Sequence, residues 1–374
     1  MVQEERGGAP GVARRQVLQG GLAAAAVGAL GNAPGASATA ADEPRGVEEA
    51  GGPRAIDIHA HYFPQAFLDV LGAEGKDFGF DYRAAADGFA IGPVHYEAKF
   101  TDLPLRLAEM DARGVETQAL SLTAPMIYWA PPELQHRLAH AWNDAASAAH
   151  EAHPHRFVGL ATLPMRYPDR AVEELNRASR LPGIRGVYLG TNIDDADLDD
   201  PRFAPVFARI EALGLPVFLH PLKTLDRNDR MKPYYLANII GNPLDTAIAC
   251  AHLIFGGVLD RFPKLDICLP HAGGVVPILI GRWDHGAKVR KELAHMTRPP
   301  SDYLRRFTYD TVAHSPKIMK FVIDEVGIDR VMLGSDYCFD MGDTHPVAAV
   351  DALGLGDKER HMVLRGTAAA LLKV

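Results

Sequence analysis

A short apolar strand that carries two histidines constrains this chain more than any other stretch. The strand is Ile56-Asp57-Ile58-His59-Ala60-His61, and it follows a Gly-rich run that ends at Pro53. Side chains two positions apart on a strand point to the same face, so both imidazoles can be directed at one point. Imidazole is the commonest protein ligand for zinc and similar ions. In a chain with 16 histidines, an ordinary polar strand end is the alternative interpretation, and the later sequence has to decide.

Length and charge limit the possible classes of protein. The 374 residues can form one (β/α) barrel or two medium-sized domains. The net charge of −8, together with the lack of any Lys/Arg run, argues against a nucleic-acid partner. Cys250, Cys268 and Cys338 are widely spaced and form no C-x-x-C pair, so no disulfide framework is expected. Cys250 and Cys268 lie in apolar runs and are predicted to be buried thiols.

The N-terminus has the order of an export signal. Arg14-Arg15 is followed by an Ala/Gly/Leu-rich run to about Leu30 and then by small residues suited to cleavage. The paired arginines and modest hydrophobicity resemble a twin-arginine signal, which predicts a periplasmic or extracellular protein. The apolar run is short and broken by glycine, so a stable membrane span is not expected. The alternative is an Ala/Gly-rich extension on a cytoplasmic protein. We assign the signal to residues 1–41, a linker to 42–53 and the catalytic domain to 54–374.

Strands and helices alternate eight times after the linker. Several strands are continuous apolar runs, as expected where a parallel sheet is covered on both faces. This predicts a closed (β/α)8 TIM-type barrel, with irregular insertions after strands 1 and 5 (residues 62–99 and 221–242). No G-x-G-x-x-G follows the first strand, which excludes a dinucleotide-binding fold. The predicted strands are 55–61, 117–123, 157–163, 186–189, 217–220, 265–269, 307–312 and 331–333.

Further candidate ligands lie at the ends of later strands. After His59 and His61 on strand 1, His220 ends strand 5, His271 follows strand 6 and Asp336 follows strand 8. In a parallel barrel, all these ends lie on the face that carries active sites. Three imidazoles and one carboxylate form an open zinc-type site with a position left for water or substrate. The alternative is a set of unconnected polar residues with ordinary hydrogen bonds.

A series of motifs from residue 54 to the C-terminus carries a family resemblance. The chain resembles the metal-dependent amidohydrolase superfamily, and within it the decarboxylase branch typified by 2-amino-3-carboxymuconate-6-semialdehyde decarboxylase. The motifs are Ile56-Asp57-Ile58-His59-Ala60-His61, Arg156-Phe157-Val158-Gly159-Leu160 with Leu163-Pro164, Phe218-Leu219-His220-Pro221, Gly256-Gly257-Val258 with Arg261-Phe262-Pro263-Lys264-Leu265, His271-Ala272-Gly273-Gly274, Gly281-Arg282 and Leu333-Gly334-Ser335-Asp336-Tyr337.

The resemblance implies a role for each candidate. His59, His61, His220 and Asp336 would bind one divalent metal, most often Zn²⁺, with Mn²⁺ as the alternative. His271 corresponds to the catalytic histidine close to the metal-bound water, and Asp336 would also supply charge and accept a hydrogen bond during catalysis.

Three residues are candidates for contact with a substrate. Arg282 matches an arginine that reaches the neighbouring subunit's site and binds a substrate carboxylate, which implies a homodimer; an ordinary exposed helix arginine is the alternative. The family's first-loop arginine has no clear match, and Lys99 is the only cation offered there. Trp129 follows the second strand, where pocket lining and packing are both open.

The activity implied is non-oxidative decarboxylation of a small unsaturated or aromatic carboxylic acid. Hydrolysis of an ester, lactone or amide at the same metal is the alternative, and hydration of a related acid remains open. The fourth strand ends in Tyr188-Leu189-Gly190-Thr191, without the lysine that bridges two metals in hydrolytic relatives, which favours one metal. A non-catalytic exported metal- or ligand-binding protein is a third possibility, although it would not need His271 as a proton carrier.

Overall fold

Eight parallel strands form a barrel in the computed structural model, which describes residues 55–222 and 230–374. Backbone hydrogen bonds from Ile58 N to Leu333 O (3.0 Å) and from Tyr337 N to His59 O (3.2 Å) join the first strand to the last. The predicted (β/α)8 barrel is therefore confirmed. In order around the barrel the strands are β1 (Ala55–His61), β5 (Val115–Ser121), β6 (Phe157–Thr162), β7 (Ile184–Gly190), β10 (Val217–His220), β11 (Ile267–Leu269), β12 (Phe307–Asp310) and β13 (Val331–Met332).

Helices follow the barrel strands and cover their outer faces. Gly257, with φ of +69°, separates two consecutive helices, Asn242–Phe255 and Val258–Arg261. The left-handed backbone at that position ends one helix and starts the next, and glycine adopts it without strain. The helices are α1 (Gln65–Glu74), α2 (Leu103–Ala112), α3 (Pro132–Ala152), α4 (Pro168–Ala178), α5 (Ala204–Leu213), α6 (Asn242–Phe255), α7 (Val258–Arg261), α8 (Val276–Val289), α9 (Pro316–Val326), α10 (Pro346–Asp351), α11 (Asp357–His361) and α12 (Thr367–Leu372).

The insertion after β1 is more ordered than the sequence indicated. It contains α1 and an antiparallel sheet of β2 (Tyr82–Ala85), β3 (Gly88–Ile91) and β4 (Val94–Glu97). The expectation of an irregular segment was wrong, because strands of four residues are too short to show a clear period. A second small pair, β8 (Asn192–Ile193) with β9 (Ala196–Asp197), follows β7.

The barrel strands are covered on both faces, by the interior of the barrel on one side and by the helices on the other. Every residue of β1, β6, β10 and β12 is buried, which accounts for the apolar residues that dominate β6 and β10. The start of α2 is fixed by a capping side chain: Asp102 accepts a hydrogen bond from Leu105 N (2.9 Å). The barrel thus holds the carboxyl ends of its strands rigidly at one face.

Some predictions fall outside the described residues. The export signal at 1–41, the linker at 42–53 and part of the insertion after β10 (residues 223–229) lie there. Across residues 55–222 and 230–374, no helix combines the length and apolar character that a bilayer-spanning segment needs. The three cysteines are buried and free, as expected for Cys250 and Cys268.

Candidate metal centre

Four side chains converge at the carboxyl end of the barrel. His59, His61, His220 and Asp336 each direct one ligand atom to a common point, and these atoms all lie within 4.8 Å of one another. None of the four residues is more than 6 % exposed. They come from β1, from β10 and from the loop after β13, so elements far apart in the chain meet here. The barrel brings together the four residues that the sequence proposed as ligands.

A hydrogen bond to the Nδ1 atom orients each ring. Such a partner fixes the tautomer and leaves the Nε2 atom free to bind a metal. The partners are Asp310 Oδ2 for His59 (2.7 Å), Ser121 Oγ for His61 (3.2 Å) and the carbonyl oxygen of Pro221 for His220 (2.8 Å).

The donor set fits a divalent metal. His59 Nε2 is buried without a hydrogen-bond partner, which is costly unless another group satisfies it. It lies 3.4 Å from Asp336 Oδ1, and His61 Nε2 lies 3.0 Å from the same oxygen. Three imidazole nitrogens and one carboxylate oxygen are the ligands of an open zinc-type site. A metal-binding His/Asp site is therefore present.

In the metal-free protein, the charges around the four ligand residues favour one bound proton. Burial lowers the pKa of His59, but Asp336 and Asp310 outweigh it and raise that pKa to about 9. Burial lowers the pKa of His61 to about 4 and that of His220 well below its usual range. The surrounding histidines overcome the burial of Asp336 and hold its pKa well below the ordinary value. Near neutral pH, His59 therefore carries a proton that a metal must displace.

Asp310 links the ligand cluster to His271, and the sequence analysis missed it. Besides the ring of His59, its carboxylate accepts hydrogen bonds from His271 N (3.0 Å), Ala272 N (2.7 Å) and Val312 N (3.0 Å). These bonds hold His271 and Ala272 at φ of +53°, a left-handed conformation that L-residues rarely adopt. A signal was available: Asp310 ends an apolar strand, just as His220 does.

A second buried carboxylate, Asp57, lies one layer deeper. It accepts hydrogen bonds from His59 N (3.1 Å), Ser335 N (3.0 Å), Ser335 Oγ (2.6 Å) and Gln118 Nε2 (3.1 Å). Gln118 in turn accepts from Arg106, a fully buried arginine that also donates to the carbonyl oxygen of His61. This network ties the two ligand-bearing strand ends to each other.

His271 stands beside the ligand cluster and faces a cavity of about 320 Å³. Its Nε2 atom lies 3.6 Å from Asp336 Oδ2, and its side chain is 17 % exposed. The cavity is large enough for a small ligand. Most of its wall is apolar, with Pro243, Val312 and Phe321 among the lining residues. No Lys or Arg is among the lining residues within 55–222 and 230–374.

The three proposed substrate residues lie elsewhere on the described surface. Arg282 is exposed on α8, whereas Lys99 pairs with Glu97 (3.2 Å). Trp129 stacks on Phe80 with ring centroids 4.1 Å apart and donates its indole N–H to the carbonyl oxygen of Met126 (3.0 Å). None of the three lines the 320 Å³ cavity, and their roles stay predictions.

The chain is similar to a known protein family over most of its length. The family model described as amidohydrolase matches residues 56–374, which is nearly the whole described chain. The chain belongs to the amidohydrolase family. The resemblance drawn from the sequence motifs is thereby confirmed.

Relatives within this amidohydrolase family are decarboxylases. The 2-amino-3-carboxymuconate-6-semialdehyde decarboxylase of Dictyostelium discoideum is 34 % identical over 80 % of this chain and 85 % of its own. The gamma-resorcylate decarboxylase of Rhodococcus jostii is 30 % identical over 77 % of this chain and 93 % of its own. The structure of 5-carboxyvanillate decarboxylase from Sphingomonas paucimobilis matches with a TM-score of 0.75 at 29 % identity, covering 86 % of this chain and 99 % of that one.

Proposed function

We propose that this protein is a metal-dependent decarboxylase of a small aromatic or unsaturated carboxylic acid. The observation that carries the proposal is His271, which lies beside a buried three-histidine, one-aspartate cluster and faces a ligand-sized apolar cavity. The decarboxylase relatives, which act on acids of this kind, support it.

His59, His61, His220 and Asp336 would hold the metal, with Zn²⁺ as the first candidate and Mn²⁺ as the second. When bound, a divalent ion supplies Lewis-acid polarisation of a substrate oxygen and positions the acid. Loading the purified apoprotein separately with Zn²⁺ and Mn²⁺ and measuring turnover identifies the competent ion.

His271 is the group placed to move a proton. Decarboxylation of an unsaturated acid requires a proton on the carbon that bears the carboxylate; the bond to that carboxylate then breaks, CO₂ leaves and the electron pair restores the double bond. Imidazole exchanges protons near neutral pH, which suits it to this step. His271 Nε2 is the atom that faces Asp336, and the bonds from Asp310 to His271 N and Ala272 N hold the ring in place.

The apolar cavity wall contributes by excluding water. Val312, Phe321 and Pro243 surround the space beside His271 with hydrocarbon. A substrate ring that fills this space displaces water from the proton-transfer site, which strengthens the polar contacts that remain.

A homodimer that brings Arg282 to the partner's cavity belongs to the same proposal. Ile278 and Val289, which are 64 % and 58 % exposed, lie on the same face of α8 as Arg282. An exposed apolar stripe of this kind favours contact with another chain. Sedimentation of wild type and Val289→Glu tests the dimer, because Val289 does not line the cavity, whereas Ile278 does. A rise in KM on Arg282→Ala, with Arg290→Ala as control, tests the arginine.

Export by the twin-arginine route is also proposed, on the Arg14-Arg15 segment alone. Cell fractionation of wild type and an Arg14→Lys, Arg15→Lys variant tests it. Retention of both proteins in the cytoplasm would contradict it.

The experiment that tests the activity is CO₂ release by metal-loaded protein across a panel of hydroxybenzoates and carboxylated dienes. Release that disappears in His271→Asn, with metal content unchanged, supports a decarboxylase. Asparagine tolerates the left-handed backbone at this position, so the variant removes the ring without adding strain. Hydrolysis of esters or lactones with no CO₂ release would instead assign the site to a hydrolase.

A further inference from the structure

A second cavity adjoins the one that contains His271. Its volume is about 430 Å³, and polar residues that include Thr311, Asp343 and His345 line it. Neither His271 nor Asp336 belongs to its wall. Among the described residues, His314 is the one that lines both cavities. It therefore marks the boundary between the reaction cavity and this second cavity, whose wall also includes the apolar residues Met319, Ala348 and Leu353.

The backbone holds His314 firmly at this boundary. Ala313 N donates to Thr311 O (2.8 Å), and Ser315, the next residue, caps the start of α9. Between these anchors, His314 adopts φ of +51°, a conformation that costs energy for most L-residues. The chain thus keeps a strained residue in place where the two cavities meet.

The side chain of His314 is exposed and makes no hydrogen bond or ion pair with any residue in the described part of the chain. An imidazole offers one donor and one acceptor in its neutral form. The walls around it in the reaction cavity are largely apolar, with Ile318 and Phe321 nearby in sequence. The hydrogen-bond donor and acceptor of the His314 ring are therefore available to a ligand.

We propose that His314 is a specificity-determining residue, which hydrogen-bonds a polar substituent at the end of the substrate remote from the metal and separates the two cavities. This rests on the proposed decarboxylase function. A substrate whose carboxylate lies beside His271 directs the opposite end of its ring away from the ligand cluster, toward the second cavity. The substrate class is accordingly an aromatic acid with a hydroxyl or amino group opposite the carboxylate.

The test compares 2-hydroxybenzoates that differ only at carbon 4, where hydroxyl and methyl groups are similar in size. Wild type should prefer the 4-hydroxy acid in kcat/KM. His314→Gly suits the positive φ and removes the imidazole, and it should reduce this preference roughly five- to tenfold, the value of one neutral hydrogen bond. His314→Asn keeps an amide donor and acceptor at a left-handed position and should retain much of the preference.

His345→Ala is the matched control, because His345 lines only the second cavity. It should leave the 4-hydroxy to 4-methyl ratio unchanged. Removing the partition should also admit a bulky 4-benzyloxy acid, so His314→Gly should raise kcat/KM for that acid at least severalfold above wild type.

An unchanged ratio in His314→Gly, with wild type active, would overturn the role of His314 and leave the decarboxylase proposal intact. If wild type releases no CO₂ from any acid, calorimetric Kd values for the same pair of acids test His314 independently. A Kd preference for the 4-hydroxy acid that His314→Gly removes would support His314 while the decarboxylase proposal fails. Equal Kd values, or no binding of either acid, would overturn both.

Discussion

Asp57 and Asp310 are two buried carboxylates on either side of His59, and they do different work. Each accepts four hydrogen bonds. Those of Asp57 come from backbone N–H groups and neutral side chains, whereas Asp310 accepts one from the imidazole of His59 and three from backbone N–H groups. Burial raises the pKa of Asp57 despite its donors. Burial also acts on Asp310, but the hydrogen bond and charge of His59 hold its pKa below the ordinary value.

The different partners of Asp57 and Asp310 divide the site into two layers. The Asp57 layer, with Gln118 and Ser335, joins β1, β5 and the loop after β13. The Asp310 layer aims the ring of His59 and the backbone of His271. We expect damage to the deeper layer to reduce stability and damage to the upper layer to reduce metal affinity and turnover.

The largest effect is expected from His271→Asn. The proton carrier is lost, while Asp310 keeps its bond to His59, so kcat/KM should fall about 10²- to 10⁴-fold with metal content unchanged. Steady-state kinetics and elemental analysis on the same samples check this. Turnover within a factor of about three of wild type would remove His271 from the chemistry.

Asp310→Asn should weaken metal binding about 10- to 100-fold, the usual effect of losing a partner that orients a ligand. The amide cannot accept at both of its polar atoms, so the ring of His59 or a backbone N–H loses its bond. Competition with a chromogenic chelator measures the affinity. Asp57→Asn is the matched comparison, and an equal loss in both variants would contradict the division into layers.

Metal affinity should depend on pH through His59. Its pKa in the metal-free protein is raised to about 9, so below that pH a metal displaces one proton. The apparent affinity should rise about tenfold per pH unit up to pH ~9 and then level off. Calorimetry at pH 7 in two buffers of different ionisation enthalpy should show about one proton released. Asp310→Asn should shift the pH at which the affinity levels off to a lower value. Proton release near zero in wild type would refute the assignment of the titrating group to His59.

The smallest effect is expected for Asp57→Asn, as a loss of stability. An amide nitrogen would replace one acceptor facing buried donors, which costs about 1–3 kcal/mol. For a chain of this size, each kcal/mol lowers the Tm by only a few degrees. Thermal unfolding of the metal-free proteins measures it. Asp324→Asn, a change at an exposed carboxylate on α9, serves as the control.

The sequence by itself determined the barrel and the strand ends that carry the candidate ligands. It did so through local signals: apolar runs, their alternation with helices, and polar residues just after the runs. His59, His61, His220 and Asp336 were visible because each interrupts or ends an apolar run. The short strands of the first insertion could not be recognised in the sequence, because a segment of four residues shows too little periodicity.

Only the tertiary structure decided which of these residues act together. Asp310 and Asp57 lie in similar sequence contexts. In the structure, Asp310 accepts a hydrogen bond from the Nδ1 atom of His59, whereas Asp57 accepts one from Ser335, which is 278 residues away in the chain. His314 lies between two cavities, and no pattern in the sequence indicates that position. The reason is physical: periodicity records whether a side chain faces the core, whereas hydrogen-bond partners and cavity walls depend on how distant strand ends and loops meet across the barrel.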